Sequence, residues 1–264
     1  MSGRAFQLVV STTETVATQL VLLSHSPADR LRNPDIARDE FCLLKTLKRA
    51  GLPVAQPLYL AHDHAPPYFI ATYIAGSPRS AADDRSAFCR TLAEILTEIH
   101  AVDLARWELS FLPRQAEYLD AAATADKRIR HAMRRAAHRI KPGGTALLHG
   151  DYWPGNLLWQ GDKLSGIIDW EDAMLGDPLA DLGKSRLEML WALGEQAMAE
   201  YSAHYLALNP QLDASALPFW DLWGAARLPH YASFAADASN VAAMRRQYDR
   251  FIQAAFDALA AGEE

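Results

Sequence analysis

Two short runs near the start, residues 6–10 and 19–23, are β-branched or apolar and flank the polar stretch 11–18, which predicts a strand hairpin. Asn33-Pro34-Asp35 supplies a helix entry with proline just inside the start. Ile36, Glu40, Leu43, Leu44 and Leu47 follow at three- and four-residue spacing, and Gly51 stops the helix ahead of Pro53. Strand-like runs at 58–61 and 68–74 bracket the loop 62–67, so the first lobe reads β-β-α-β-β. From Gly76-Ser77-Pro78 onward the pattern turns helical and alanine-rich. Phe88, Leu92, Ile95, Leu96 and Ile99 mark an amphipathic helix ending at His100, and a second helix is predicted over about 116–139. Beyond Gly143-Gly144 comes an island of strand pattern, 157–159 and 164–168, around a Gly161-Asp162 turn. Helices resume near Leu179. The reading is an α+β protein with a small β-rich lobe over residues 1–75 and a large helical lobe over 76–264.

Composition narrows the function classes. The chain has 264 residues, half of them hydrophobic, which suffices for a packed core and excludes wholesale disorder. A formal net charge of −6 offers no field for nucleic acid or an anionic membrane, so neither is expected as a partner. No apolar run approaches the roughly 18 residues of a membrane span, and the first residues lack the pattern of a signal peptide. Cys42 and Cys89 fall inside predicted helices with no framework spacing, which points to buried thiols and a cytoplasmic location.

The chemistry concentrates in His149–Leu182, HGDYWPGNLLWQGDKLSGIIDWEDAMLGDPLADL. Asp151, Asn156 and Asp169 lie at the ends of short elements there. The hairpin between Asn156 and Asp169 returns the chain to its start and brings Asp169 beside the Asp151–Asn156 loop, a ready cage of hard oxygen donors. Such a cage suits Mg²⁺, which takes few protein ligands and completes its shell with substrate phosphates. Two of the three residues could hold the ion while the third accepts a proton from a hydroxyl. A two-metal phosphoesterase would need a histidine directly after the Asn-containing turn; Leu157 stands there, and no histidine occurs between His149 and His204.

Other features carry ordinary readings. His62-Asp63-His64 is a solvated loop by default, and the seven Lys/Arg residues of 127–141 form an exposed helix face. Trp191, Trp220, Trp223, His230, Tyr231 and Phe234, with Asp213, Asp221 and Asp237, are candidates for an acceptor pocket; core packing is the default for the aromatics.

HGDxxxxN, then IDWE, then GDPLADL resemble the signature of the aminoglycoside phosphotransferase and choline kinase superfamily, which has a protein-kinase-like two-lobe fold. The resemblance implies that Asp151 receives the proton of the substrate hydroxyl, that Asn156 and Asp169 hold Mg²⁺, and that His149 and Asp181 support the catalytic loop. It implies ATP or GTP as co-substrate, with backbone groups near Tyr73 and Ile74 facing the base, and a small-molecule hydroxyl acceptor that is aminoglycoside-, choline- or sugar-like. Only residues 170–175 separate Asp169 from the following Gly176-Asp177-Pro178, which leaves little room for a peptide-docking loop. The first lobe departs from the pattern. Glu40 resembles the helix acid that pairs with a strand lysine or arginine, yet the matching position falls at Leu23, with Arg30 and Arg32 in the following loop as the nearest cations. Only Ser2-Gly3-Arg4 remains of a phosphate loop, so the lobe reads as shortened. A pseudokinase-like binding module with little turnover is the alternative.

Overall fold

A computed structural model describes residues 4–10, 18–79, 84–115, 126–141, 143–228 and 238–261. The chain divides into two compact units: Met1–Arg79, Asp103–Leu112 and Gly155–Asp172 form the first, and Ser80–Val102, Pro113–Pro154 and Ala173–Glu264 the second.

In the first unit, β1 (Arg4–Val10) and β2 (Thr18–Ser24) pair antiparallel, with Ala5 opposite Leu23. Together with β3 (Pro57–Ala61) and β4 (Tyr68–Thr72) they make a four-stranded sheet in the order β1-β2-β4-β3. A short helix, α1 (Pro27–Arg32), follows β2 where the sequence reading placed a loop. The Ser26 hydroxyl caps it by accepting from the Asp29 amide at 3.2 Å, and Pro27 opens its first turn. Helix α2 (Ile36–Ala50) ends at Gly51 as its pattern predicts, and it buries Ile36, Ala37, Leu43, Leu44 and Leu47 on the face that packs on β3 and β4. Leu43 and Leu47 are fully buried, and each such side chain contributes about 1.5–3 kcal/mol. The same stripe carries Asp39 and Glu40 into the interior. A hairpin, β6 (Leu157–Gln160) and β7 (Lys163–Ile167), completes this unit. The Ile167 amide ties it to the Pro53 carbonyl at 2.7 Å, and Ser77 and Trp159 exchange two backbone bonds.

The second unit is helical apart from one strand pair, β5 (Ala146–Leu148) with β8 (Met174–Gly176), which the sequence reading missed because each strand has only three residues. Helix α3 (Arg85–His100) buries the predicted apolar stripe and packs on α6 (Glu195–Leu208). Helix α4 covers Lys127–Ala136; residues 116–125 of the predicted longer helix lie outside the described residues. The central element is α5 (Pro178–Leu193), and α7 (Leu217–Arg227) lies close against it. Glycines permit this approach. A Cβ on Gly183 would sit 2.5 Å from the Trp220 carbonyl oxygen, and one on Gly224 2.5 Å from the Lys184 Cα. Helix α8 (Ala238–Ala261) packs on α7. Cys89 is buried, and burial pushes its thiol up to about 11; Cys42, expected to be buried, is partly exposed. No helix among the described residues is long and apolar enough to cross a membrane.

Candidate active site

In the second unit, His149-Gly150-Asp151 leaves the end of β5 and is held by a carboxylate from the first turn of α5. Asp181 accepts the His149 amide at 2.6 Å, the Gly150 amide at 2.9 Å and His100 Nε2 at 3.2 Å. Gly150 has φ +80, a conformation open to glycine, and it lets two successive amides converge on one acceptor. Asp181 is 2% exposed, and desolvation opposes its charge. The His100 bond, the positive character of the nearby imidazoles and the Gly150 amide outweigh that cost and hold its carboxyl below the usual range. His149 is fully buried and its Nδ1 accepts the Asp151 amide at 3.2 Å. Tyr152 follows, packed edge-on to His149, with its hydroxyl donating to the Leu92 carbonyl at 2.6 Å. His149 and Asp181 therefore stand behind the loop, fixing the backbone on which Asp151 is carried.

The side chain of Asp151 meets a cation that sequence reasoning missed. Lys184, 3% exposed, donates from Nζ to Asp151 Oδ1 and, at 3.2 Å, to Glu188 Oε1. Burial pushes the Glu188 carboxyl up to about 8, against the pull of Lys184 and with a further push from Asp151. A signal was present. Asp181, Lys184 and Glu188 lie at i, i+3 and i+7, so three charges share one face of a helix that is otherwise buried. A lysine is found this deep only when it is paired.

In the first unit, Asn156 and Asp169 occupy the two ends of the β6–β7 hairpin. Leu157 pairs with Ile167, and the Ile168 amide donates to the Asn156 carbonyl at 3.0 Å, so Asp169 follows directly on a residue bonded to Asn156. Asp169 has φ +67, the left-handed conformation that Asp tolerates and most side chains avoid. Asn156 is buried and Asp169 half-buried. The carboxamide and carboxylate are hard oxygen donors, which suits Mg²⁺ rather than a soft metal.

Asp169 also lines a cavity of about 280 Å³ together with Leu23, His25, Glu40, Tyr73 and Ile74, among other residues of this unit. The structure thus brings Glu40 and the segment after β4 to the same space as Asp169. Leu23 faces that space too, without a cation. The partner of Glu40 is His25, two residues further on: Nε2 lies 2.6 Å from Glu40 Oε2, and both residues are buried. Arg30 and Arg32 do not substitute. The Arg30 guanidinium donates to the His25 carbonyl, and Arg32 pairs with Asp172 at 2.9 Å. His25 escaped the sequence reading because only lysine and arginine were sought, in the strand and in the loop after it.

The remaining candidates separate. Trp220 and Trp223 are core residues packed edge to face, while the Trp191 indole donates to the Met244 carbonyl. Asp221 is buried against Arg186 at 2.8 Å, and Asp213 caps a short turn. His230, Tyr231, Phe234 and Asp237 lie outside the described residues, as do Ser2 and Gly3. Among the described residues, no group of three or more His, Cys, Asp or Glu side chains is placed to hold a metal; His62-Asp63-His64 lies exposed between β3 and β4.

Residues 2–219 match the model of the phosphotransferase enzyme family. Among curated relatives, the chain is 29% identical over 194 residues to acyl-CoA dehydrogenase family member 10 of Mus musculus, covering 64% of this chain and 18% of that protein. It is 29% identical over 147 residues to homoserine kinase of Beijerinckia indica, covering 48% of this chain and 45% of that enzyme. The matched part is thus less than half the length of either relative. Among solved structures, choline kinase LicA of Streptococcus pneumoniae superposes with a TM-score of 0.63 at 18% identity, covering 97% of this chain and 89% of that one. A thermostable mutant of aminoglycoside phosphotransferase APH(4)-Ia, in a ternary complex with AMP-PNP and hygromycin B, gives 0.62 at 17% identity, covering 94% and 93%. At these identities the likeness establishes the fold, the α+β architecture of protein-kinase-like phosphotransferases.

Proposed function

Because the chain belongs to the phosphotransferase enzyme family, we propose that it transfers the γ-phosphoryl group of ATP or GTP to a hydroxyl of a small molecule. The observation that carries this reading is the Asp151 loop. Its carboxylate stands on a backbone fixed by the buried Asp181, beside a buried lysine, on an HGDxxxxN sequence. Asp151 accepts the proton of the acceptor hydroxyl as the oxygen–phosphorus bond forms, and the nucleoside diphosphate departs. The Lys184 ammonium orients that carboxylate. Asn156 and Asp169 would hold Mg²⁺, which when bound neutralises charge on the β- and γ-phosphates. Backbone groups at Tyr73 and Ile74 face the base, and residues 1–75 serve as the nucleotide lobe while 76–264 supply the acceptor side. Choline, homoserine and aminoglycoside acceptors, named by the similar proteins, all join a hydroxyl to a positively charged nitrogen, and an acceptor of that class is proposed here.

A binding module without turnover drew its support from the absent strand cation. The His25–Glu40 pair weakens that support, because a group able to carry positive charge does accompany the helix acid. The direct test is a panel of hydroxylated amines, sugars and antibiotics screened for acceptor-dependent ADP release with Mg-ATP, with Asp151→Asn as control. Release that depends on an acceptor and falls in the variant supports the proposal. Tight acceptor binding with no ADP release, in a protein that binds Mg-ATP, favours the binding module.

A further inference from the structure

We propose that His25 is the phosphate-binding cation of this chain, donating from Nδ1 to the phosphates of the bound nucleotide while Nε2 is tied to Glu40. The inference rests on the phosphotransferase reading and adds a residue to it. His25 is 5% exposed and lines the cavity that holds Asp169, Tyr73 and Ile74. One ring nitrogen is spoken for by Glu40 at 2.6 Å; the other, Nδ1, is buried with no hydrogen-bond partner among the described residues. A buried ring nitrogen left without a partner is costly, and a ligand oxygen in the adjoining cavity would remove that cost. Of the described side chains lining the cavity, His25 is the one that can become a cation; Glu40, Asp169 and Glu171 are acids. A polyphosphate entering this largely apolar space meets three acids and one side chain able to carry positive charge, His25.

The arrangement couples binding to a proton. With Nε2–H donating to Glu40, a neutral ring offers Nδ1 as a lone pair, which repels a phosphate oxygen; the protonated ring donates from both nitrogens. The charged groups around the ring favour the second form. Burial disfavours the charge, but the bond to Glu40 on α2, with the fields of Glu40, Glu171 beyond β7 and Asp29 on α1, raises the ring above its ordinary 6.5. Arg30, also on α1, spends its guanidinium on the His25 carbonyl. Phosphate affinity in this chain is therefore greatest where His25 is protonated and declines as pH rises.

The probes are Mg-AMP-PNP and adenosine, titrated calorimetrically from pH 7.5 to 9, where the nucleotide's own phosphates are ionised. In wild type, Mg-AMP-PNP should weaken as pH rises, approaching tenfold per unit above the His25 pKa, with proton uptake that shows as a buffer-dependent heat; adenosine should respond little. His25→Gln keeps a donor for Glu40 and should bind Mg-AMP-PNP weakly at every pH, and His25→Lys should bind it with a flat profile. Equal affinity and a flat response in wild type and His25→Gln would overturn the proposal alone. A protein that binds neither probe overturns the phosphotransferase reading and this inference with it. Independently of any variant, the His25 ring proton followed by NMR in wild type should titrate higher when Mg-AMP-PNP is bound, and an unmoved titration rules the contact out.

Discussion

Each unit sets a carboxylate against a buried basic side chain, and the two bases differ in kind. In the first, Glu40 meets an imidazole; in the second, Asp151 meets the ammonium of Lys184, which Glu188 also contacts. Raising the pH acts on opposite partners. His25 loses its charge and its pair with Glu40 weakens, whereas Glu188, held up at about 8, gains charge and becomes a full counter-ion for Lys184. The first unit is thus built to respond to pH at His25. An ordinary strand lysine would have made the two halves alike.

The largest effect should come from breaking the second unit at its centre. Asp151→Asn should lower turnover by about 10²–10⁴, the usual worth of a general base, with Mg-nucleotide affinity nearly unchanged and a loss of stability because Lys184 is left without its charged partner; wild-type turnover in a folded variant removes Asp151 from that role. Lys184→Met leaves Asp151 and Glu188 without their shared cation. It should cost about 3 kcal/mol in urea denaturation, the low end for breaking a buried pair because Asp151 is partly exposed. His25→Gln, which retains a bond to Glu40, should cost less, and the reverse ranking would contradict the contrast between the units.

On the metal side, Asp169→Ala should weaken Mg-dependent nucleotide binding by roughly 10- to 150-fold, the worth of a charge-assisted contact. Asn156→Ala should do less, since water can replace a neutral donor. Equal losses in calorimetry would mean that the two ends of the hairpin are not the unlike ligands assigned here.

Stability should fall as pH rises. His25 holds its proton more tightly folded than unfolded, so its contribution is complete below about pH 6.5 and lost through the higher folded value. Glu171, raised to about 7 mainly by burial, and Glu188 lose their folded-state advantage in the same direction as they ionise. Urea midpoints measured from pH 6 to 9 should decline, and less steeply in His25→Gln. The smallest effect belongs to Arg32→Ala. Its ion pairs with Asp172 and Asp29 are partly exposed, so the loss should be within about 1 kcal/mol, with nucleotide affinity unchanged. A large loss of affinity would restore Arg32 as the missing cation.

What could be read along the chain was whatever depends on near neighbours. The α2 stripe, its stop at Gly51 and the β6–β7 hairpin are local patterns of period and turn chemistry, and structure follows them within a residue or two. The HGDxxxxN loop with Asp169 after its hairpin was legible for the same reason, because the hairpin itself returns one end to the other. The short β5–β8 pair and helix α1 were too brief to rise above their surroundings, although Ser26-Pro27 marked the latter. The partners of Asp151 and Glu40 were harder to read for a different reason. Lys184 lies 33 residues from Asp151, and His25 lies 15 from Glu40. Nothing in a single sequence says that α5 presents its charged face to the Asp151 loop, or that α2 carries Glu40 to the end of β2. Packing decided both, because a carboxylate taken out of water is stable only where the fold delivers a donor to it.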